Sequence, residues 1–187
     1  GSKMYAIGSE SSKIEILDLK GKLIKKLLLT TEDGKPKGPR YVTSGEGCVF
    51  FTATDGTVSR LDTLTQEITG MAQLGYQYPE ALTYANGKLY VNISNRANSG
   101  YIGQMGALVN PKSIEKESEI PVKLNPYTII FDGKDGYVYV VSNGNYAGTP
   151  GLPEEQWVYQ TLQRIDVQTN LVEEVCNATY AAKKGDH

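Results

Sequence analysis

The strongest constraint in this sequence is an internal repeat, in which a short apolar stretch ends on an acidic or amide residue. Asp18, Asp62, Asn110 and Asp166 end four such stretches, and successive members lie 44, 48 and 56 residues apart. Because the alternation within each stretch suits an extended chain, each stretch is predicted to be a β-strand. A period of this length predicts a repeated structural unit of several strands.

Other strands fall at fixed places around this marker. Three segments begin with proline and an extended run, and each is followed by a glycine-containing turn and a second β-rich run. The proline segments are 39–42, 79–82 and 126–129, and the second runs are 48–52, 89–93 and 137–141. A polar turn follows each acidic or amide marker, and a fourth strand begins after it. Four strands in roughly 40–50 residues is the size of one β-propeller blade.

The sequence therefore predicts an all-β chain, a β-propeller of four-stranded antiparallel blades. Approximate blades are expected at 3–30, 38–75, 78–124 and 125–176, with the start of a further blade at 177–187. Residues 4–8 match a second strand, so the first blade is expected to lack its innermost strand. Four blades are interpreted as part of a six- to eight-bladed ring. Alternatively, two chains form a homodimer through their open ends, because an open arc exposes apolar blade faces.

Known catalytic and metal-binding patterns are missing from the sequence. The only histidine is His187, which argues against a histidine-assisted nucleophile. The Asp-Gly-Lys-Asp-Gly run at 132–136 lacks a third carboxylate and is interpreted as a turn. The recurring Asp and Asn markers are expected to accept hydrogen bonds from the turns that follow them. We therefore predict no catalytic residue, no cofactor and no metal.

Charge and cysteine content give weaker indications of the binding partners and of disulfide bonding. The net charge is -2 and no basic stripe is visible, which argues against nucleic-acid binding. The two cysteines, Cys48 and Cys176, have neither zinc nor redox spacing. They are interpreted as small buried apolar residues, with a disulfide as the alternative.

Two connections between second and third strands differ most between the blades. Blade three carries residues 95–101 there, and blade four carries the longer insertion 143–160. Such loops are expected on the same side as the chain entering each first strand, where loops on a rigid scaffold commonly bind ligands. The predicted ligand-binding rim consists of Arg40, Tyr78, Glu80, Arg96, Tyr127, Asn145, Tyr146 and Trp157. The alternative is that Trp157 and Tyr146 only pack the insertion onto its blade.

Two segments resemble a known family. Residues 126–143, which contain Gly-Tyr-Val-Tyr-Val-Val-Ser-Asn, and residues 56–62, Gly-Thr-Val-Ser-Arg-Leu-Asp, are similar to YVTN-type β-propellers. The arrangement resembles uncharacterised surface lipoproteins and secreted propellers of Bacteroidetes. The resemblance implies a periplasmic, cell-surface or extracellular location, with a membrane tether through an N-terminal lipid that this sequence does not itself contain.

Three functional hypotheses follow. The first is a non-catalytic binding propeller of the bacterial envelope, whose ligand is a glycan, a peptide or a protein. The second is a hydrolase or lactonase whose active-site acids lie in blades outside this sequence. The third is a structural spacer without a ligand.

Overall fold

The computed structural model describes residues 3–97, 100–101, 105–145 and 153–178, and these residues form an all-β structure. Seventeen strands are present in the described residues: β1 (Lys3–Gly8), β2 (Lys13–Asp18), β3 (Leu23–Leu28), β4 (Pro39–Gly45), β5 (Cys48–Ala53), β6 (Thr57–Asp62), β7 (Ile68–Gln73), β8 (Pro79–Ala85), β9 (Lys88–Ile93), β10 (Arg96–Ala97), β11 (Gly100–Tyr101), β12 (Met105–Asn110), β13 (Glu115–Pro121), β14 (Pro126–Phe131), β15 (Tyr137–Ser142), β16 (Thr161–Asp166) and β17 (Val172–Asn177).

Strand pairing confirms the predicted fold class of antiparallel four-stranded blades. Three sheets have four strands each, in the orders β4-β5-β6-β7, β8-β9-β12-β13 and β14-β15-β16-β17, and are blades two, three and four. Blade one has three strands, β1-β2-β3, and β1 takes the place of a second strand as the sequence predicts. All pairs within the blades are antiparallel, and the first strand of each complete blade packs against that of the next. The blades form an open arc.

The hydrophobic core lies between the sheets as three separate layers. Each layer is built from side chains of two neighbouring blades, since alternate residues of a strand point to opposite faces. Phe51 of blade two meets Ile14 of blade one, and its neighbour Phe50 points the other way, to Val91 of blade three. Tyr90 of blade three lies in the layer shared with blade four. Inner blades are therefore buried on both faces.

Several details differ from the sequence interpretation. After β9, the short strands β10 and β11 pair with each other in antiparallel fashion. The cysteines are not bonded to each other. The prediction of two buried thiols is wrong for Cys176, which is exposed, and Cys48 is only partly buried. Cys176 faces outward because it lies on the fourth strand of blade four, on a side that no blade of the described residues covers. Of the predicted further blade at 177–187, residues 179–187 lie outside the described part.

The described chain contains little helical structure. One three-residue 3-10 turn, Glu154–Gln156, occurs in the blade-four insertion. No helix among the described residues is long and apolar enough to cross a membrane.

The acidic and amide markers close the turns between third and fourth strands, as predicted. The Asp62 carboxylate accepts hydrogen bonds from the backbone N–H groups of Leu64 and Thr65, both at 2.8 Å. Asp166 accepts equivalent bonds from Gln168 and Thr169, at 2.8 and 2.9 Å. These backbone donors lower the pKa of both carboxyl groups. Asn110 closes its turn with an uncharged side chain. Its Oδ1 atom accepts hydrogen bonds from the backbone N–H groups of Lys112 and Ser113, at 2.9 and 3.2 Å.

The turn geometry predicts a pH dependence of stability that a double substitution should reduce. A carboxyl group whose pKa is lower in the folded chain stabilises the fold above its unfolded pKa of about 4, and this contribution is lost as the pH falls through the folded value. Replacing both Asp62 and Asp166 by Asn should keep the turns closed at neutral pH and reduce the loss of thermal stability on acidification. The double Ala variant should be less stable at neutral pH as well. Melting temperatures measured from pH 7 to pH 3 test this, and equal acid sensitivity of the Asn variant and the parent would contradict it.

Candidate functional site

The candidate site lies where the chain enters the first strands of blades two, three and four, which we call the entry rim (Gly38–Tyr41, Tyr78–Glu80 and Asn125–Tyr127). Connections between second and third strands lie at the same end, as the sequence predicts. Thr54 N–H donates to Gly38 O at 3.0 Å, Ser94 N–H donates to Tyr78 O at 3.2 Å, and Asn143 N–H donates to Asn125 O at 2.9 Å. The rim is therefore a continuous feature of neighbouring blades.

A β-bulge at the start of each first strand places the rim side chains. Arg40 and Tyr41 together stand opposite the single residue Thr52, because the pairing register shifts between Pro39 and Val42. The register shifts again between Pro79 and Leu82, around Glu80, and between Pro126 and Thr128, around Tyr127. Proline is well suited to the residue before each bulge, because it has no backbone N–H to donate to the hydrogen-bond ladder of the sheet. Bulged residues leave the regular alternation, so their side chains take directions that a plain strand would not give.

Arg40 and Glu80 form an ion pair between blades two and three. Arg40 Nη2 lies 2.6 Å from Glu80 Oε2, and Arg40 Nε donates to the same oxygen at 3.2 Å. The Glu80 side chain is only 4% exposed, whereas that of Arg40 is 30% exposed. The Ser94 hydroxyl lies 3.0 Å from Glu80 Oε1. Burial acts to lower the pKa of Arg40, but the hydrogen bond and charge of Glu80 outweigh it and the pKa is raised. Arg40 thus stays cationic in a fixed orientation.

Two tyrosines extend this cluster to blade four. The rings of Tyr41 and Tyr127 meet edge to face, with centroids 5.9 Å apart and an interplanar angle of 88°. Burial and hydrogen bonding with Tyr127 raise the pKa of Tyr41, so its hydroxyl stays protonated at neutral pH. The Arg40 guanidinium lies 5.9 Å from the centre of the Tyr41 ring. Tyr127 is 37% exposed. The cluster therefore presents a cation and an aromatic ring above a buried carboxylate.

The structure brings together part of the predicted set. Arg40, Glu80 and Tyr127 are joined in the cluster, and Tyr78 is linked to it through its backbone carbonyl, which lies 3.1 Å from the Ser94 hydroxyl. Arg96 lies in β10, on the same side of blade three. Tyr146 lies outside the described residues. Whether these residues bind a ligand stays a prediction.

Asn145 and Trp157 belong to the base of the blade-four insertion. Asn145 joins its two ends, since the Asn145 Oδ1 atom accepts from Val158 N–H at 2.7 Å. Gly144 has φ of 64°, and a Cβ there would clash with Val158 O, so this crossing requires glycine. Trp157 meets Tyr159 edge to face at 6.3 Å and is 36% exposed. Trp157 therefore packs within the insertion and also presents surface to solvent.

Residues that the sequence interpretation missed hold the bulges in place. The Thr52 hydroxyl accepts from Tyr41 N–H at 3.2 Å and donates to Glu80 O at 2.9 Å, and so ties two bulges together. Asn92 is in the corresponding place in blade three and donates to Thr128 O at 3.1 Å. Both side chains are fully buried. A polar residue in the middle of an otherwise apolar second strand is the signal that could have identified them.

A cleft among the described residues lies away from the entry rim. This cleft, of about 420 Å³, lies between blades one and two at the opposite ends of the strands and is lined by Tyr5, Cys48 and Thr63 among others. Within the described ranges, no cluster of three or more His, Cys, Asp or Glu side chains is placed to hold a metal ion.

Comparisons with known proteins identify the fold. No family model and no curated protein matches the chain. Among solved structures, the chain is similar to hydrazine synthase of Kuenenia stuttgartiensis, with a TM-score of 0.71 and 13% identity over 95% of this chain and 46% of that one. It is also similar to the Pan2 WD40 domain of Neurospora crassa, with a TM-score of 0.64 and 14% identity over 92% and 48% of the two chains. The computationally designed Ika8 protein gives a TM-score of 0.59 and 10% identity over 93% and 46%.

These similarities show the fold alone. The chain is a β-propeller of the WD40 type in its architecture, with four-stranded antiparallel blades. It spans about half the length of the solved structures that it matches.

The buried ion pair predicts a strong dependence of stability on Arg40. Arg40→Ala should cost about 3 kcal/mol of unfolding free energy, because the Glu80 carboxylate would stay buried without its cation. The double variant Arg40→Ala/Glu80→Gln should lose less than the sum of the single changes. Urea denaturation of the four proteins measures this coupling.

Lys35→Ala provides the control for the Arg40 variant. Lys35 and Asp33 form an ion pair that is also 2.6 Å long, but their side chains are 77% and 57% exposed. Its loss should cost about 0–1 kcal/mol. Similar losses for the Arg40 and Lys35 variants, or strict additivity in the double variant, would show that the Arg40–Glu80 pair does not hold the rim.

Proposed function

We propose that this chain is a non-catalytic binding propeller, and that its ligand is held on the entry rim. The observation that carries the proposal is the Arg40–Glu80–Tyr41–Tyr127 cluster, because it is organised before any ligand arrives. Glu80 fixes the guanidinium through Nε and Nη2, and this leaves Nη1 for an acceptor oxygen of a ligand. A site that is already ordered loses less entropy on binding.

The chemistry of the cluster indicates the ligand class. An exposed tyrosine beside a fixed arginine suits a partner with an apolar face and a nearby oxygen acceptor. A sugar ring with its hydroxyl or carboxylate groups, or a peptide with its carbonyl groups, meets both conditions. The proposed ligand is therefore a glycan, a peptide or an exposed segment of a protein. Asn145 and Trp157 at the base of the insertion extend the same side of the molecule.

A catalytic role for Glu80 is disfavoured by its surroundings. General acid or base catalysis needs a group that can reach the substrate and exchange a proton with it. Glu80 is buried, and both of its oxygens contact protein donors, Arg40 on one side and Ser94 on the other. Glu80 serves in this proposal as a positioning residue for Arg40.

We also propose that this chain is a YVTN-type propeller of the bacterial envelope, located in the periplasm or at the cell surface. The support is the similarity of residues 56–62 and 126–143 to that family. A surface location would bring the entry rim into contact with glycans and peptides outside the cytoplasm.

Ligand screening with matched variants tests the binding proposal. Glycan and peptide libraries are screened with the parent chain, and hits are measured by calorimetry and by the fluorescence of Trp157, the only tryptophan. Tyr127→Ala should weaken a rim ligand about tenfold, which corresponds to ~1.4 kcal/mol. Trp157→Ala tests whether the insertion takes part.

Leu64→Ala is the matched control for these variants. Leu64 is 89% exposed and lies on a turn at the opposite ends of the strands. The Leu64→Ala substitution should leave the affinity for a rim ligand unchanged. A ligand whose affinity is equally insensitive to the changes at Tyr127 and Trp157, in variants that keep the parent melting temperature, would place binding elsewhere and refute the rim proposal.

A further inference from the structure

The two end blades expose faces that correspond to buried faces of the inner blades. On blade four, Ile130, Tyr139 and Arg164 are cross-strand neighbours on the face opposite the core layer. Phe50 and Tyr90 occupy the place of Tyr139 in blades two and three, and both are buried against the following blade. Ile130 is 58% exposed. We call this surface the open face of blade four.

Blade one exposes the face that, in the other blades, packs against the preceding blade. Met4 pairs with Leu17, and Ala6 pairs with Glu15, all on the side away from blade two. In blades two to four, the residues in these positions are buried against the preceding blade, as Val49 is against blade one. Met4 is 41% exposed and Leu28, on the same side, is 69% exposed. We call this surface the open face of blade one.

Every junction within the arc is also closed by hydrogen bonds that reach from one blade to the turn between the third and fourth strands of the next. From blade one, Lys25 Nζ donates to Gln66 O at 2.8 Å. From blade two, Arg60 donates to the carbonyls of Lys112 and of Pro111, the latter at 3.3 Å. From blade three, the Tyr90 hydroxyl donates to Asn170 Oδ1 at 3.0 Å.

Blade four carries the same donors without a following turn. Arg164 stands two residues before Asp166, just as Arg60 stands two residues before Asp62. Arg164 lies 2.7 Å from Glu173 on its own sheet and 4.3 Å above the Tyr137 ring. The Tyr139 hydroxyl likewise donates within the blade, to Asp135. The open face of blade four is therefore built like an outgoing junction face.

Charge distinguishes the two end blades, although Lys3, Lys25 and Glu174 contact neighbouring blades and do not lie on an open face. Residues 3–28 of blade one contain six lysines and three acidic residues, whereas residues 126–177 of blade four contain one lysine, one arginine and seven acidic residues. Lys26 lies on the open face of blade one, across from Glu15, and Lys20 and Lys22 lie on its exposed turn. Glu173 lies on the open face of blade four, across from Arg164. Opposite charges on two patches favour contact between them.

We propose that the open face of blade four binds the open face of blade one of a second copy of this chain. Arg164 and Tyr139 would engage the turn 19–22 of the partner, as Arg60 and Tyr90 engage the following turns within the arc. Because the contact joins two different patches, two copies close into a ring when both junctions form. The pair would contain eight blades, within the four to eight that propellers use.

A charge-exchange experiment tests the proposal. The parent chain should have twice its monomer mass by light scattering at low salt, and its association should weaken as salt screens the charges. Variant A, with Lys22→Glu and Lys26→Glu, should be monomeric, since both of its open faces are acidic. Variant B, with Glu173→Lys and Asp135→Lys, should also be monomeric, because Asp135 accepts from Tyr139 on the open face and both open faces of this variant are then basic. An equimolar mixture of variants A and B should regain the twofold mass, because each junction then joins opposite charges.

A third variant controls for the number of charges changed. Lys35→Glu/Lys112→Glu reverses two exposed lysines that lie on neither open face, and it should associate like the parent. Melting curves verify that each variant is folded. A parent chain that stays monomeric at low salt would overturn the proposal. So would a dimer that persists in variants A and B, or a mixture of A and B that stays monomeric while each is folded.

Discussion

Face-to-face burial between thin sheets is the constraint on which the rest of this structure depends. A sheet of four short strands has two faces and cannot cover either of them by itself, so each blade gains its stability from its neighbours. Phe50 and Phe51 are consecutive residues of one strand, yet they belong to different core layers. A strand that serves two layers must be apolar at almost every position, and β5 is buried throughout except at Cys48.

This constraint explains which parts of the fold the sequence could predict. The strands, their order and the missing first strand of blade one follow from a marker that recurs at each turn and from proline at each first strand. Asp62 and Asn110 are recognisable because the turn after a third strand needs an acceptor for two backbone N–H groups, and few side chains supply one. The pairing of β10 with β11 was not predictable in the same way, because nothing repeats in that connection.

The candidate site was predictable only in part, and for a physical reason. Equivalent positions in successive blades indicated that Arg40, Glu80 and Tyr127 share one side of the molecule. Sequence periodicity cannot show that bulges redirect these side chains, since a bulge changes the alternation locally. It also cannot show that Glu80 is buried beneath Arg40, or that Tyr127 contacts Tyr41, a residue that was not in the predicted set. The exposure of Cys176 was missed for a related reason, because burial there depends on whether another blade covers the sheet.

The turn that follows each third strand has two roles, and both come from the same few atoms. Its N–H groups point inward to the Asp or Asn side chain, as in the bonds to Asp62, which closes the hairpin within the blade. This arrangement leaves carbonyl groups pointing outward, and Gln66 O and Lys112 O accept from side chains of the preceding blade. The feature that ends one blade therefore also joins it to its neighbour. These directed bonds help to set the register of each junction, because apolar faces alone would slide over one another at little cost. The donors nevertheless come from different strands, Lys25 in β3, Arg60 in β6 and Tyr90 in β9.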